Sequence, residues 1–383
     1  MKRFFLLASA ALFFSFASFA QTTISAPFAV DVRSLSMGGF HYCDFLSPYM
    51  VQVNPSSLTA VGKKTLLPSL SMDFGGPLSS MPSIISATKD SDDIMHDILT
   101  EVLSSVSSSN GVFVDLDMSL PLNFARINNN KGFGIFNRVY GKTHVPSLSK
   151  AALSAGAELF MVYSSAIPIV DLKGFRLSLG TGTKLLGRME TDYSGTPNDL
   201  EKIDFSSLPL KGTVAFGMDA AVTLTVLDMI SLCAVWHDVY AGIQGDIGVI
   251  SDISFSASQG NLDLMFDKGK LGLGVALHIP TGFTKGVVSS LSLYADLYDF
   301  LPFFEDEDAF SKSPLLSFSA GMEVVVFKTI SLRVGMNGPY LAAGAGIDLT
   351  PFHIEVALYG KELGLSAGDA SQLHGAISFS LYF

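Results

Sequence analysis

Apolar and polar residues alternate with period two over most of this chain, and no apolar run beyond the N-terminus reaches the roughly 20 residues that a membrane helix needs. Side chains leave a strand on opposite faces, so such a pattern builds sheets with two unlike sides. The C-terminal stretch His374–Phe383 is the cleanest case. Gly375, Ile377, Phe379, Leu381 and Phe383 fall on one side, and His374, Ala376, Ser378, Ser380 and Tyr382 on the other. A terminal strand ending on an aromatic residue is expected of a membrane barrel, with one face in lipid and the other in a wetter lumen. Composition agrees, with 48% hydrophobic but only 15% charged residues, against about 25% charged in an ordinary soluble chain. The competing expectation is an apolar soluble β-protein.

Met1–Ala20 has the form of a cleaved secretory signal. Lys2 and Arg3 precede the apolar run Phe4–Phe16, and Ser18-Phe19-Ala20 supplies small residues before the cut. Removing Lys2 and Arg3 from 24 basic residues against 35 acidic ones leaves a net charge of −13. That balance excludes nucleic acid as a partner, whose phosphates attract basic patches. Export places the chain where disulfides persist. Cys43 and Cys233 could pair, but spacing does not show it; because Cys233 lies mid-strand in an apolar run, two unpaired thiols are expected.

The remaining chain reads as about fourteen strands. In the first, Leu66, Pro68, Leu70, Met72 and Phe74 oppose Leu67, Ser69, Ser71 and Asp73. In the second, Val114, Leu116, Met118, Leu120, Leu122 and Phe124 oppose Asp115, Asp117, Ser119, Pro121 and Asn123. The two acids cannot face lipid, where charge is costly, so they must line the lumen. With Arg176, Lys184, Asp219, Asp296, Glu323, Arg333, Asp348 and Glu355 they form a lumen set of mixed sign, suited to bracing a plug. Tyr294, Tyr298, Tyr359 and Tyr382 share those faces. Ala342–Gly346 (Ala-Ala-Gly-Ala-Gly) permits close backbone approach, either of a plug or at a tight barrel corner. Connections alternate in length: 75–111, 191–211, 241–269, 301–314 and 361–373 are long, whereas 127–131, 227–229, 328 and 350–351 are short. Short periplasmic turns and long outer loops are the habit of outer-membrane barrels. This orientation starts the N-terminal segment in the periplasm.

The first long loop carries Ile94, Met95, Ile98, Leu99, Val102, Leu103 and Val106 at helical spacing. The expected helix either packs over the rim or presents Ile94, Ile98 and Val102 as a first landing for an apolar ligand. Motifs for catalysis are missing: there is no nucleophile elbow, zinc-protease motif or phosphate loop. His237-Asp238 and His353-x-Glu355 are local acid–histidine pairs, best read as lumen hydrogen bonds. The acidic run Glu305–Asp308 lacks ordered calcium-ligand spacing. No enzyme, cofactor or metal is expected.

Ahead of the strands, Gly38-Gly39 and then Asn54-Pro55-Ser56-Ser57-Leu58 mark a compact segment with special backbone angles. An exported chain with these features and about fourteen strands resembles the FadL/TodX family of long-chain fatty acid and hydrocarbon transporters. It is similar also to their PorV/TraF-like relatives, including FadL-like proteins of spirochaetes. Ser331–Asp348 and Lys361–Gly364 resemble the penultimate strands of that wider group. The resemblance implies a hatch containing Gly38, Gly39, Asn54, Pro55 and Ser56 that plugs the barrel. It implies an apolar ligand that enters from outer loops, shifts the hatch and leaves through a gap in the wall. Ser56 stands where the family usually has alanine.

The expectation is thus an all-β, transmembrane antiparallel β-barrel with three parts: signal 1–20, hatch 21–62 and barrel 63–383, with one helix in its first outer loop. Its partners would be outer-membrane lipid and a hydrophobic small molecule such as a long-chain fatty acid, passed without energy input. The alternatives are a PorV-like adaptor docking secreted or surface proteins, and a general porin for polar solutes.

Overall fold

A computed structural model describes residues 30–76, 112–147, 149–196, 199, 204–250, 252–253, 262–300, 313–364 and 366–382. The signal segment, the expected first-loop helix with Ile94, Ile98 and Val102, and the acidic run Glu305–Asp308 lie outside the described residues.

The strands are β1 (Lys64–Gly75), β2 (Val112–Ser119), β3 (Phe124–Asn128), β4 (Lys131–Ser147), β5 (Lys150–Leu172), β6 (Phe175–Gly195), β7 (Pro209–Val226) and β8 (Ile230–Val249). They continue as β9 (Asp252–Ile253), β10 (Asp263–Ile279), β11 (Val288–Leu297), β12 (Phe318–Val326), β13 (Ile330–Asn337), β14 (Tyr340–Leu349), β15 (Phe352–Glu362) and β16 (Ser371–Tyr382). Neighbours pair antiparallel in chain order, β8 pairs β10, and β1 pairs β16, so the sheet closes on itself. β2 and β3 make one stave and β9 is a spur on β8, giving a closed 14-strand barrel. Closure removes the unpaired edges an open sheet would expose. Among the described residues no helix is long and apolar enough to cross a membrane.

The alternation sorts the residues as expected. On β16, Leu373, Ile377 and Phe379 point outward, while His374, Ala376 and Ser380 are buried inside. Outward-facing Leu159, Leu185, Val214, Leu232, Leu332 and Leu358 continue the apolar belt around the barrel. One expected face fails. A register shift between Leu67 and Leu70 puts Leu66 inside, whereas Pro68, Leu70 and Met72 face out.

Several strands run further than the alternation suggested. β8 and β10 stay paired out to Gln244 and Asp263, so much of the expected 241–269 loop is ladder. β4 and β5 pair to Ser147 and Lys150. The long connections do share one end of the barrel, but two tight ones join them there: 148–149, and Gly338-Pro339 between paired Asn337 and Tyr340. At the other end Asn129 and Asn130 both take positive φ (50° and 62°) between paired Asn128 and Lys131. That is the two-residue hairpin geometry asparagine tolerates.

Residues 30–62 fill the lumen and lead straight into β1 at the short-turn end. They form three single-turn helices, Val32–Leu35, Met50–Val53 and Leu58–Val61, with a 3-10 turn at Pro55–Ser57. From residue 30 to residue 58 only Leu46 is exposed. The barrel core is therefore the interface between this hatch and the wall: Met37, Tyr42, Met50, Val51 and Leu58 pack against Phe136, Phe160, Leu186 and Tyr240.

Candidate functional site

Each hatch residue implied by the resemblance lies against the wall. Gly38 takes φ 90°, and a side chain there would strike the Met336 backbone. Gly39 abuts the Tyr298 hydroxyl. Asn54 caps the Pro55–Ser57 turn by accepting from the Ser56 amide (3.0 Å). Its Nδ2 donates to the Tyr42 carbonyl (2.7 Å) and to Thr223 Oγ1 (3.2 Å). The Ser56 hydroxyl bonds Asn54 Oδ1 and Thr223 Oγ1, each at 2.7 Å. Serine in place of alanine thus adds a bond to the wall. Pro55 and Ser56 press on Gly180, where a Cβ would meet their backbone. Gly344 faces Ser36 in the same way, so the small-residue run of β14 receives the plug.

The two cysteines correct the sequence expectation. Cys43 of the hatch and Cys233 of β8 form a disulfide across 190 residues, with Cα atoms 6.0 Å apart. Cys233 lies in an apolar run, but it shares the inward face with Ser231 and Val235. That face meets the hatch.

Ion pairs hold the same part of the hatch. Arg33 bonds Asp44 and also Glu323 of β12, at 3.0 Å through Nε and 2.7 Å through Nη2. Arg333 bonds Glu323 (2.6 Å) and also Glu355, so three of the expected lumen residues do meet in one buried network. Burial opposes the Arg33 charge, but the carboxylates of Asp44 and Glu323 outweigh it and raise its pKa well above the ordinary value. Burial pushes the nearby Asp31 carboxyl up. His41 pairs with Asp296 (2.6 Å) and stacks on Tyr294 at 4.8 Å between centroids. The Tyr298 hydroxyl donates to the Phe40 carbonyl (2.6 Å).

A bulge supplies a further contact. Asp238, at φ 62°, is an extra residue in β8, so consecutive His237 and Asp238 both point inward. His237 Nδ1 lies 2.5 Å from Asp238, which leaves Nε2 to accept from the hatch hydroxyl of Tyr42 (2.8 Å). Lys184 neutralises this corner through Asp219 (2.9 Å) and Asp238 (2.7 Å). His353 and Glu355 share a face but part company: His353 lies 3.4 Å from Asp348, and Glu355 goes to Arg333.

The expected lumen residues Asp115 and Asp117 lie away from the hatch network. Asp115 bonds Lys361 (3.1 Å), and Asp117 bonds Arg138 (2.7 Å). Arg176 and Asp348 are partly exposed, Arg176 beside Asp171. Among the described residues no His/Cys/Asp/Glu group could hold a metal ion.

One stave of the wall is broken, against expectation. The segment Val114–Phe124 is not one strand: β2 ends at Ser119 and β3 begins at Phe124. Pro121 lacks an amide hydrogen, and the ladder is replaced by side chains. The Asn137 amide group accepts from the Leu120 N–H (2.7 Å) and donates to the Leu120 carbonyl (2.9 Å) and to Asn123 Oδ1 (2.8 Å). Asn123 in turn donates to Ser69 (3.2 Å), which bonds the hatch hydroxyl of Tyr49 (3.3 Å). The Tyr49 ring stacks on Phe136 at 5.6 Å. Outside the break, Leu122 is 64% exposed. A polar chain thus runs from the hatch to the break in the ladder, outside which Leu122 is apolar and exposed.

Sequence reasoning missed Arg33, His41, Tyr42, Asp44, Tyr49, Asn123 and Asn137. Charged and aromatic residues inside a segment with plug-like glycines were the available signal for the first five.

No protein-family model and no curated protein matches the chain. Among solved structures it is similar to the toluene transporter TodX of Pseudomonas putida at 10% identity, TM-score 0.43, covering 94% of this chain and 99% of that one. It is similar to the CymD monoaromatic hydrocarbon channel at 10% identity, TM-score 0.45, covering 93% and 98%. A FadL homologue of Pseudomonas aeruginosa aligns at 11% identity, TM-score 0.40, covering 94% and 99%.

Proposed function

We propose that this chain is an outer-membrane channel for passive passage of hydrophobic small molecules, with long-chain fatty acids as the first ligands to test. The observation that carries this reading is the break between β2 and β3. A closed ladder offers an apolar solute no sideways path, whereas a stave clasped by two asparagines can part without unzipping a strand. Leu122 lies outside this clasp, and the aromatic pair Tyr49 and Phe136 lies inside it. A ligand in the lumen would leave through the break into lipid, with the hatch blocking the axial route. The chain is in this view a conduit and not a catalyst, and its N-terminal end faces the periplasm.

Saturable binding and uptake decide the matter. Purified, folded protein is expected to bind a labelled long-chain fatty acid displaceably in the micromolar range, and vesicles containing it to take the label up. A plain porin serves as control. Folded protein with no binding and no uptake above that control overturns the proposal.

A further inference from the structure

The hatch is not held evenly. Its residues 33–44 reach the wall through charge and a covalent bond: Arg33 to Glu323, His41 to Asp296, Tyr42 to His237 and Cys43 to Cys233. Charge-assisted hydrogen bonds are about twice as strong as neutral ones. Residues 45–53 contain no charged side chain. Among the described residues they meet the wall through two neutral bonds, Tyr49 to Ser69 (3.3 Å) and Ser164 to the Val51 carbonyl (2.6 Å), and through ring packing of Phe45 on His278 (5.6 Å) and Tyr49 on Phe136 (5.6 Å). The ammonium of Lys64 also reaches the Leu46 carbonyl, at the exposed tip.

The two ends of this stretch meet. Asn54 donates to the Tyr42 carbonyl at 2.7 Å, and Asn54 and Ser56 both bond Thr223. Thr223 lies directly across the ladder from Cys233. Disulfide and asparagine together staple the base of a loop whose far side carries Tyr49 to the broken stave.

We propose that residues 45–53 are a hinged lid and that the rest of the hatch stays fixed when the channel opens. Its base is the Cys43–Cys233 bond with the Asn54 clamp. Its latch is the Tyr49–Ser69–Asn123 chain, so lifting the lid withdraws a support from the wall break. The disulfide excludes expulsion of the whole plug. This inference rests on the channel reading for its purpose, but not for its geometry.

A reversible lock tests it. A Cβ at Gly132 would lie 3.3 Å from the Val51 Cβ, near the roughly 3.5–4.5 Å typical of disulfides. In Val51→Cys/Gly132→Cys protein, oxidation is expected to cut fatty-acid uptake at least tenfold. A mild reductant that leaves the buried Cys43–Cys233 bond intact, as checked by mass spectrometry, should restore it. Each single variant is expected to transport with either treatment. Full uptake in completely cross-linked protein overturns the lid. Uptake by the wild type only after its own disulfide is reduced also overturns it. Hydrogen exchange gives a readout independent of transport. Amides of 45–53 should exchange at least tenfold faster than those of 32–44, and Tyr49→Phe should accelerate them further. Uniform protection across the hatch refutes the lid even if the channel reading stands. Absent wild-type uptake with fast exchange at 45–53 refutes the channel and leaves the lid supported.

Discussion

Replacing Arg33 by methionine should release the fixed part of the hatch while sparing the barrel. Arg33 touches two buried carboxylates, whose side chains are 1% (Asp44) and 2% (Glu323) exposed. Glu323 keeps Arg333 at 2.6 Å after the substitution. Among the described residues Asp44 keeps only the Leu46 amide (3.0 Å) and the Tyr294 hydroxyl (3.4 Å). Leaving one partner of a buried pair uncompensated costs about 3–5 kcal/mol. At about 1.4 kcal/mol per tenfold, a central cost of about 4 kcal/mol shifts the docking equilibrium about 10³-fold. The hidden disulfide reports that shift, because Cys43 and Cys233 are 0% and 4% exposed. A small thiol reaches them only when the hatch lifts, and reduction then tracks the open population. Arg33→Met should therefore be reduced about 10³-fold faster, with the barrel's resistance to heat in detergent unchanged. Adding Asp44→Asn removes the stranded charge and should recover at least tenfold. Acceleration below tenfold in Arg33→Met, or a further acceleration in the double variant, would refute the reasoning.

Gly180→Leu should push Pro55 and Ser56 off the wall, raising ion conductance in planar bilayers from correctly assembled barrels; a tight seal would contradict the fit described. Asn54→Ala with Pro55→Ala opens the loop base and should change uptake kinetics while assembly is preserved; unchanged kinetics would remove the clamp role. Asn137→Ala strips partners from the partly buried Leu120 N–H and carbonyl, at a cost below the about 1–3 kcal/mol of a fully buried unmet group. A cysteine placed at Leu122 should then label faster. Asp31 has its pKa raised by burial, so the docked hatch binds a proton more readily than the released one. Docking is thus strongest below the usual carboxylate pKa and weakens as pH rises through the interval up to the raised value. Asp31→Asn should slow disulfide reduction relative to wild type at pH 7 and lose that advantage at low pH.

The barrel was legible wherever one face meets lipid and the other does not, as in β11–β16. It faded where strands leave that belt: Ser194-Gly195 of β6 and Asp246 of β8 are still in the ladder, yet no lipid demands alternation there. Pro121 marked the broken stave in plain sight, but the flanking alternation of Val114–Phe124 concealed it. The His237-Asp238 bulge was not readable, because period two sends consecutive residues to opposite faces. Counting faces would have placed Cys233 among inward groups; its apolar neighbours pointed elsewhere. The partners of Arg33 were beyond reach, since Glu323 lies 290 residues away and only closure of the sheet brings it near.

The staves also differ in height. β5 has 23 residues, β6 21 and β8 20, whereas β11 to β16 have 8 to 12. A tilted strand crosses a bilayer in about 9–11 residues. The ladder is therefore uneven: residues 263–272 of β10 run past the end of β11 on the side of the long connections, and residues 166–172 of β5 run past the start of β4 at the other end. The described ladder thus stands higher on the β4–β10 side of the barrel than on the β11–β16 side.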